Sequence, residues 1–468
     1  MDPLKLEQRS KVPTGQEVLE TGQRPHLPLG FGLQEGAMEN RPRRFLQAFA
    51  AILKHSNYRL ALEQYMRVNA RCGRCNVKCQ IFQATGEACD LPCHRSELLL
   101  SVYRRHFTVS GVLRGRLLGD PGLQDDTIDK MAEAYYTCTL CRRCQLECPM
   151  GIDHGLITHL GRYILSEIGI VPRVSAAQTP EPSPDSTGGA EANPVPALLD
   201  NLPLLREEIK NATGVDVEFP VDRTGAEYLF FPDLSDDLEA DTLMGSAAVF
   251  RATGDTWTLG AGFYDGLHYG LFYSDQILEH ALQRMRGEAD RLQVKTIVIG
   301  ESGYAARSAK SFYPGCAGEG PAQPVVSLVE YTHRAWKSGR LKLRANAISE
   351  RVTYHDPCNF ARDGWIVEEP RELLQAICSD YVEMTPNRRD NFCCGGGGGT
   401  VSIGELRSYR TSVGGKAKAG QIRATGAKYC VAPCANCKKQ LRELMEDQGI
   451  DCQIVGLHDL LYKAIVFE

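Results

Sequence analysis

Cysteine is the residue type in this sequence that can do unusual chemistry: there are 18 in 468 residues, and most stand in short spaced groups. Cys72, Cys75 and Cys79 form one group, with Cys89 and Cys93 shortly after it; Cys138, Cys141, Cys144 and Cys148 form another. A third is spread over Cys358, the adjacent pair Cys393 and Cys394, and Cys434 with Cys437. A secreted disulfide scaffold is short and uses its bridges to replace a core it cannot build, whereas this chain is long enough to pack without them. Thiols gathered at fixed short spacings point instead to soft-metal ligation, because thiolates select zinc, copper(I) or iron–sulfur clusters.

The segment Cys138-T-L-Cys141-R-R-Cys144-Q-L-E-Cys148-Pro149 has the C-x2-C-x2-C-x3-C-P spacing of bacterial ferredoxins. Three thiolates on one tight loop grip three irons of a cubane cluster, while the fourth, displaced and followed by proline, turns toward a neighbouring cluster. Structural zinc is the alternative, but zinc sites pair two separated C-x2-C elements. The earlier group, Asn69-A-R-Cys72-G-R-Cys75-N-V-K-Cys79-Gln80, is the same run in register, with Asn69 in place of the first cysteine and Gln80 in place of the proline. One ligand is missing there. Cys93 or Cys89 could fill the vacancy, with Cys93 favoured; a three-cysteine cluster is the other reading. Reciprocal ligation then assigns Cys138, Cys141, Cys144 and Cys79 to one [4Fe–4S] cluster, and Cys72, Cys75, Cys148 and Cys93 or Cys89 to the other. Arg142 and Arg143, inside the loop, would raise the local positive charge and with it the cluster potential, or serve as solvated surface, the favoured reading.

In the third constellation, adjacent cysteines cannot both chelate one small ion without strain. The glycine run Gly395 to Gly399 lets backbone approach a bulky ligand closely. No Gly-Lys-Ser/Thr follows, which argues against a phosphate loop. His355 and Asp356, just before Cys358, could deliver protons to a leaving thiolate or serve strand-end hydrogen bonding. Cys430 and Cys452 lie in strand-like runs and Cys378 on a helix, so all three read as buried structural thiols. Cys316 could face a substrate or a cluster.

The elements that must position these groups belong to an ordinary folded chain, with 43% hydrophobic and 24% charged residues. A net charge of −5 gives no general attraction to nucleic acid or anionic membrane. No apolar run reaches the length of a transmembrane span, and the N-terminus lacks a secretory pattern, so a cytoplasmic location is expected. Residues 1–41 read as a polar arm. Helical periodicity over 44–68, 96–106, 126–136 and 155–168 makes 42–171 a cysteine-loaded helical domain. The Pro-, Ser- and Ala-rich stretch 172–197 reads as a linker. Beyond it, strand-like runs at 227–231, 296–299, 351–354, 429–432 and 453–455 alternate with helical segments at 236–251, 274–292, 404–424 and 434–446, the pattern of α/β layers with parallel strands. The region also looks repeated: Tyr228 to Asp233 parallels Val352 to Cys358, and Thr296 to Tyr304 parallels Tyr429 to Cys437. Asp233, Glu301 and Tyr304 then stand where Cys358, Cys434 and Cys437 stand in the second copy, and the stretch 260–268, opposite Cys393, has no cysteine.

The C-x(n)-C-C-G-x(n)-C-x-x-C arrangement resembles the cysteine-rich (CCG) domain of heterodisulfide reductases. A two-cluster ferredoxin region followed by it is similar to the D-type subunit of those enzymes. More narrowly, one intact motif resembles the cytoplasmic iron–sulfur subunits of the Dsr-, Hmc- and Tmc-type membrane redox complexes of sulfate reducers. The resemblance implies an α+β multidomain chain: a helical two-cluster ferredoxin domain, then tandem Rossmann-like α/β CCG repeats, the first (198–345) degenerate and the second (346–468) intact. It implies an oxidoreductase with two [4Fe–4S] clusters and one noncubane [4Fe–4S] centre held by Cys358, Cys393, Cys394, Cys434 and Cys437. The partners implied are a membrane cytochrome b-type subunit, other redox subunits and a disulfide or thiol acceptor, with the chain peripheral on the inner face of the cytoplasmic membrane. The alternatives are a pure electron relay, a glycolate- or lactate-type hydroxyacid oxidoreductase subunit, and a zinc-binding scaffold.

Overall fold

The computed structural model describes residues 31–33, 39–54, 56–119, 121–172, 195–232, 240–262, 272, 274–316 and 320–467. Most of the polar arm, the linker from 173 to 194, Asp233 and residues 263–268 of the proposed repeat lie outside this set. The chain divides into two compact units, and the division cuts across the sequence-based boundaries. Phe272, Ser274 and residues 397–416 fold with the N-terminal helical region, and the two α/β halves fold together as the second unit.

In the first unit a short strand β1 (Phe31–Leu33) pairs antiparallel with β2 (Ile170–Pro172). Between them run α1 (Arg41–Ile52), α2 (Ser56–Val68), α3 (Gln80–Thr85), α4 (Pro92–His106), α5 (Val109–Leu118), α6 (Asp125–Tyr136) and α7 (His154–Glu167). The helices follow from their patterns. In α6, Asp125 and Asp126 occupy the first turn, where the helix dipole favours carboxylates, and Ile128, Met131, Ala132 and Tyr135 face inward. They meet Phe45 and Phe49 of α1, Leu99 and Tyr103 of α4 and Ile164 of α7 in one apolar core. Arg41 ties α1 to α6 through Asp125 (3.0 Å) and Asp129 (2.6 Å). From the segment 397–416, Ile403, Leu406 and Tyr409 pack on Cys79 and Ile81. The continuous helix expected over 404–424 is broken there. A 3-10 turn, a helix of three residues (Arg407–Tyr409) and a π-turn (Arg410–Gly414) precede a regular helix, and the adjacent Gly414 and Gly415 stand at the break. The Gly414 carbonyl accepts from the side chain of Gln80.

The second unit opens with α8 (Val195–Thr213) and carries two four-stranded sheets, all of whose pairings are parallel. The first holds β3 (Tyr228–Phe231), β4 (Trp257–Thr258), β5 (Thr296–Ile299) and β6 (Val325–Ser327), connected through α9 (Ala240–Thr253), α10 (Asp275–Arg291) and α11 (Gly303–Phe312). After α12 (Leu328–Lys337) the second holds β7 (Ile348–Tyr354), β8 (Cys378–Val382), β9 (Tyr429–Val431) and β10 (Gln453–Val455). Its helices are α13 (Cys358–Ala361), α14 (Glu369–Ile377), α15 (Lys416–Thr425), α16 (Ala435–Gln448) and α17 (Leu457–Leu461). Runs such as Y-L-F-F and T-I-V-I are apolar throughout because parallel strands are covered on both faces. The strand orders are β4-β3-β5-β6 and β8-β7-β9-β10, so in each sheet the first strand lies between the second and third. Registers also correspond: Tyr228 pairs with Thr296, and Val352 with Tyr429. Cys378, expected on a helix, is instead the first residue of β8, directly after α14 ends. No described helix is long and apolar enough to cross a membrane.

Candidate metal centres

The two cysteine groups of the first unit sit on matching turns. Arg71 and Gly73 flank Cys72 with positive φ, as Leu140 and Arg142 flank Cys141. A five-residue 3-10 turn follows each, Arg74–Lys78 and Arg143–Glu147, ending at Cys79 and Cys148. Arg143 is buried and donates to the Lys78 carbonyl (2.8 Å), and Arg74 pairs with Glu147 (3.1 Å), so each turn holds the other. Arg142 pairs with Asp153 at 3.2 Å. Neither Arg142 nor Arg143 is the solvated surface the sequence suggested, because the tight loop turns both back onto protein. Asn69, in the place of the absent cysteine, spends its side chain on the turn itself: its carbonyl oxygen accepts from the Arg71 amide (3.2 Å).

Cys79, Cys138, Cys141 and Cys144 line one cavity together with Arg95 and His154. Arg95 is buried. Its Nη2 reaches the Cys79 sulfur at 3.6 Å and its Nη1 lies 3.8 Å from Asp90. Burial works against its charge, but Cys138, Cys79 and Asp90 outweigh that and hold its pKa above the ordinary value. His154 accepts or donates at Nδ1 with Ser96 (2.7 Å), while its buried Nε2 has no hydrogen-bond partner. Burial, then the Arg95 charge, pushes His154 down to about 4, so the ring is neutral. The loop is fixed from behind by the fully buried Arg162, which donates to the carbonyls of Tyr135 (2.7 Å), Cys138 (2.7 Å) and Gly398 (2.6 Å).

Cys75 and Cys93 are neighbours through their sulfurs. The shared hydrogen bond draws Cys93 down to about 7 and pushes Cys75 up. Cys72 is exposed on its loop, and Cys148 is half-buried with the Ile152 amide donating to its sulfur at 3.4 Å. Cys89 is half-buried in the turn Ala88–Asp90.

In the second unit, Cys358 opens α13 just beyond β7, and Cys434 caps α16 just beyond β9, so the C-terminal ends of neighbouring parallel strands present both. Ligands in open parallel α/β sheets collect at that edge. Cys394 hydrogen-bonds with Cys393 and Cys437, and Cys437 in turn with Cys434; the exchange lowers Cys394 and raises Cys437. All five cysteines are buried. Gly395 has φ 103 and donates its amide to the Cys393 sulfur (3.5 Å), and a Cβ on Gly396 would lie 2.8 Å from that of Gln440. A ring nitrogen of His355 lies within 4.8 Å of the sulfurs of both Cys394 and Cys437. The ring is fully buried and neither nitrogen has a hydrogen-bond partner; burial and then the charge of Lys418 hold it well below the usual histidine range. Lys418 is itself buried and pushed down to about 8. Asp356, by contrast, is structural: both its oxygens meet Arg371 (2.8 Å each), and one also accepts from the Arg388 amide (2.8 Å).

Glu301 and Tyr304, which the sequence comparison sets opposite Cys434 and Cys437, are both buried, and Glu301 sits in a polar network. It accepts from His458 Nδ1 at 2.7 Å and lies 3.9 Å from the Lys438 ammonium. Cys430 and Cys452 are buried. Cys316 ends a 3-10 turn, and its carbonyl accepts from Arg286 at 3.0 Å.

Residues 70–152 match the family model of a 4Fe-4S dicluster domain, and residues 352–442 match that of the CCG cysteine-rich domain. Over 476 aligned residues, spanning 92% of this chain and 84% of the relative, the sequence is 27% identical to "Hdr-like menaquinol oxidoreductase iron-sulfur subunit 2" of Archaeoglobus fulgidus. It is 24% identical to the D-type subunit of the dihydromethanophenazine:CoB–CoM heterodisulfide reductase of Methanosarcina acetivorans, over 84% of this chain and 93% of the relative. The chain carries a 4Fe-4S dicluster domain and a CCG cysteine-rich domain and is similar along most of its length to iron–sulfur subunits of heterodisulfide reductase-like complexes. A third similar protein is the "Probable membrane-anchored ferredoxin" of Chromohalobacter salexigens, 27% identical over 82% of this chain and 57% of the relative. Residues beside these cysteines that sequence reasoning missed are Arg95, His154 and Lys418. The signal available was faint: a basic residue near thiols in space leaves no mark in cysteine spacing.

Proposed function

We propose that this chain is an electron-transfer subunit of a membrane-associated redox complex. Two [4Fe–4S] clusters in the first unit would pass electrons singly to a noncubane [4Fe–4S] centre on the CCG cysteines, where a disulfide is reduced. Cys79, Cys138, Cys141 and Cys144 would hold one cluster, and Cys72, Cys75, Cys93 and Cys148 the other. The Cys75–Cys93 contact supports Cys93 over Cys89. The donors fit these groups: four thiols line a cavity whose walls carry a buried cation, and the buried thiols of Cys393, Cys394, Cys434 and Cys437 interact with one another beside an unpartnered imidazole.

Bound there, a cluster supplies one-electron storage and an iron to which sulfur can bind. The protein does the rest. Gly395 and Gly396 bring backbone close to the thiolates, and Lys418 sets a positive charge near Cys393 and Cys394. Neutral His355 carries one ring N–H near Cys394 and Cys437 that can donate a hydrogen bond to a leaving thiolate, and it keeps that proton; the protons of the product thiols come from solvent. The overall balance is one disulfide, two electrons and two protons giving two thiols.

Residues 198–345 are read as a copy of 346–468 that has lost its thiolates; the matching strand orders and registers support this. A membrane cytochrome b-type subunit as electron donor, with the chain on the inner face of the cytoplasmic membrane, fits the quinol and phenazine oxidoreductions in the relatives' names.

The observation that carries the disulfide reading is that the buried thiols of Cys393, Cys394, Cys434 and Cys437, from separate segments, interact with one another beside His355, with Cys358 buried at the end of the strand next to that of Cys434. Its test is EPR of the anaerobically oxidised full chain on addition of coenzyme M. A new paramagnetic signal is expected, absent from a Cys393→Ser/Cys394→Ser variant that retains its other clusters. A spectrum indifferent to thiol at full iron loading would reduce the role to electron relay.

A further inference from the structure

Helix α5 (Val109–Leu118) is turned the wrong way round for a protein surface. Its small residues face inward: a Cβ on Gly111 would overlap the Arg104 carbonyl of α4, and Gly115 is buried against the side chain of Arg105. Its large apolar residues face out. Val109 is 79% exposed, Leu113 55%, Leu117 85% and Leu118 69%. The first three are spaced four apart, so they form one row along the helix. A core-seeking helix of this composition would turn that row inward, since burial of such side chains is favourable.

Charge says what covers the row. From Leu98 to Gly119 the sequence holds Arg104, Arg105, Arg114 and Arg116 and no carboxylate, in a chain whose net charge is −5. Arg114 and Arg116 are exposed and make no ion pair among the described residues. An apolar row with arginines beside it suits a bilayer surface: leucines enter the acyl boundary while guanidinium groups remain with anionic headgroups. The orientation is fixed in advance. Thr108 caps α5 by accepting from the Gly111 amide, and its hydroxyl also donates to the Arg104 carbonyl (2.7 Å), pinning the helix to α4.

We propose that α5 is an interfacial anchor through which this chain docks on an anionic lipid surface. The inference goes beyond the electron-transfer reading and does not depend on it, because lipid binding is measured without substrate or electron donor. The test is flotation of the purified full chain with vesicles of phosphatidylglycerol and phosphatidylcholine. The chain is expected to float with these vesicles, to be released by salt, and to remain behind with phosphatidylcholine alone. Arg114→Ala/Arg116→Ala should lower partitioning about thirtyfold, at about fivefold for each arginine near the surface. Leu113→Glu/Leu117→Glu should lower it by about a hundredfold or more. Unchanged cluster absorbance and circular dichroism verify that each variant is folded, and the alanine pair, being fully superficial, keeps the test decisive if the glutamate pair misfolds. The proposal is overturned if the wild-type chain ignores anionic vesicles, if both variants float as it does, or if α5 is needed only to retain a membrane protein and not lipid.

Discussion

Four thiolates around a cluster concentrate negative charge, and Arg95 is the buried cation that meets it. Exchanging it for a neutral group of similar reach leaves the cavity lined but removes the positive field. Arg95→Gln should therefore lower the reduction potential of the cluster proposed at Cys138 and its partners, since a nearby cation favours the added electron. At about 5 Å and an effective dielectric of about 20 the lost interaction is about 3 kcal/mol, or roughly 130 mV for one electron. An EPR-monitored redox titration reads this, and an unmoved potential would mean that solvent already screens the site. At this scale the sequence marks candidate ligands and is silent about their surroundings. Cysteine spacing follows from cluster dimensions, so Cys138 to Cys148 are recognisable one by one. Arg95 and His154 reach the same cavity from separate helices, α4 and α7, and only the packing of those helices reveals them.

The elements were legible where their hydrophobic period was long or their strands fully buried. The five strands expected in the second unit are present. The two-residue β4, the three-residue β6 and β8 at the edge of its sheet were not foreseen, because so few residues carry no period. Helix α12 shows what local chemistry secures instead. Ser327 and Glu330 form a reciprocal capping box at its start, and Glu330 also pairs with Lys310 of α11 at 2.7 Å. Burial pushes Glu330 up, but the Lys310 ammonium and the Ser327 donors outweigh it and hold the carboxyl below the usual glutamate range. A depressed carboxyl contributes stability that is present above its unfolded pKa and is lost as pH falls through its folded value. Glu330→Gln should thus cost about 1–2 kcal/mol near neutral pH, and the gap to wild type should close on acidification. Thermal unfolding of both proteins across that pH range checks the sign; a gap that widened in acid would refute the assignment.

Over the whole molecule, three groups of thiols occupy two units, and the segment after Cys393 and Cys394 leaves the second unit's fold to pack in the first, where Gly398 meets Arg162. That excursion was not visible in the sequence. Gly397–Lys416 has apolar residues enough to read as helix, and what fixes it elsewhere is contact with Cys79 and Ile81, far away in the chain. The proposed repeat was suggested by parallel strands, whose apolar runs can be laid side by side, down to Glu301 against Cys434. An account built on three iron–sulfur centres stands most directly on one quantity, the iron and acid-labile sulfide bound per chain in anaerobically purified, reconstituted protein. About 12 irons and about as many sulfides are expected for three four-iron centres. Protein that binds zinc in their place, or that stays free of iron after reconstitution, would contradict it.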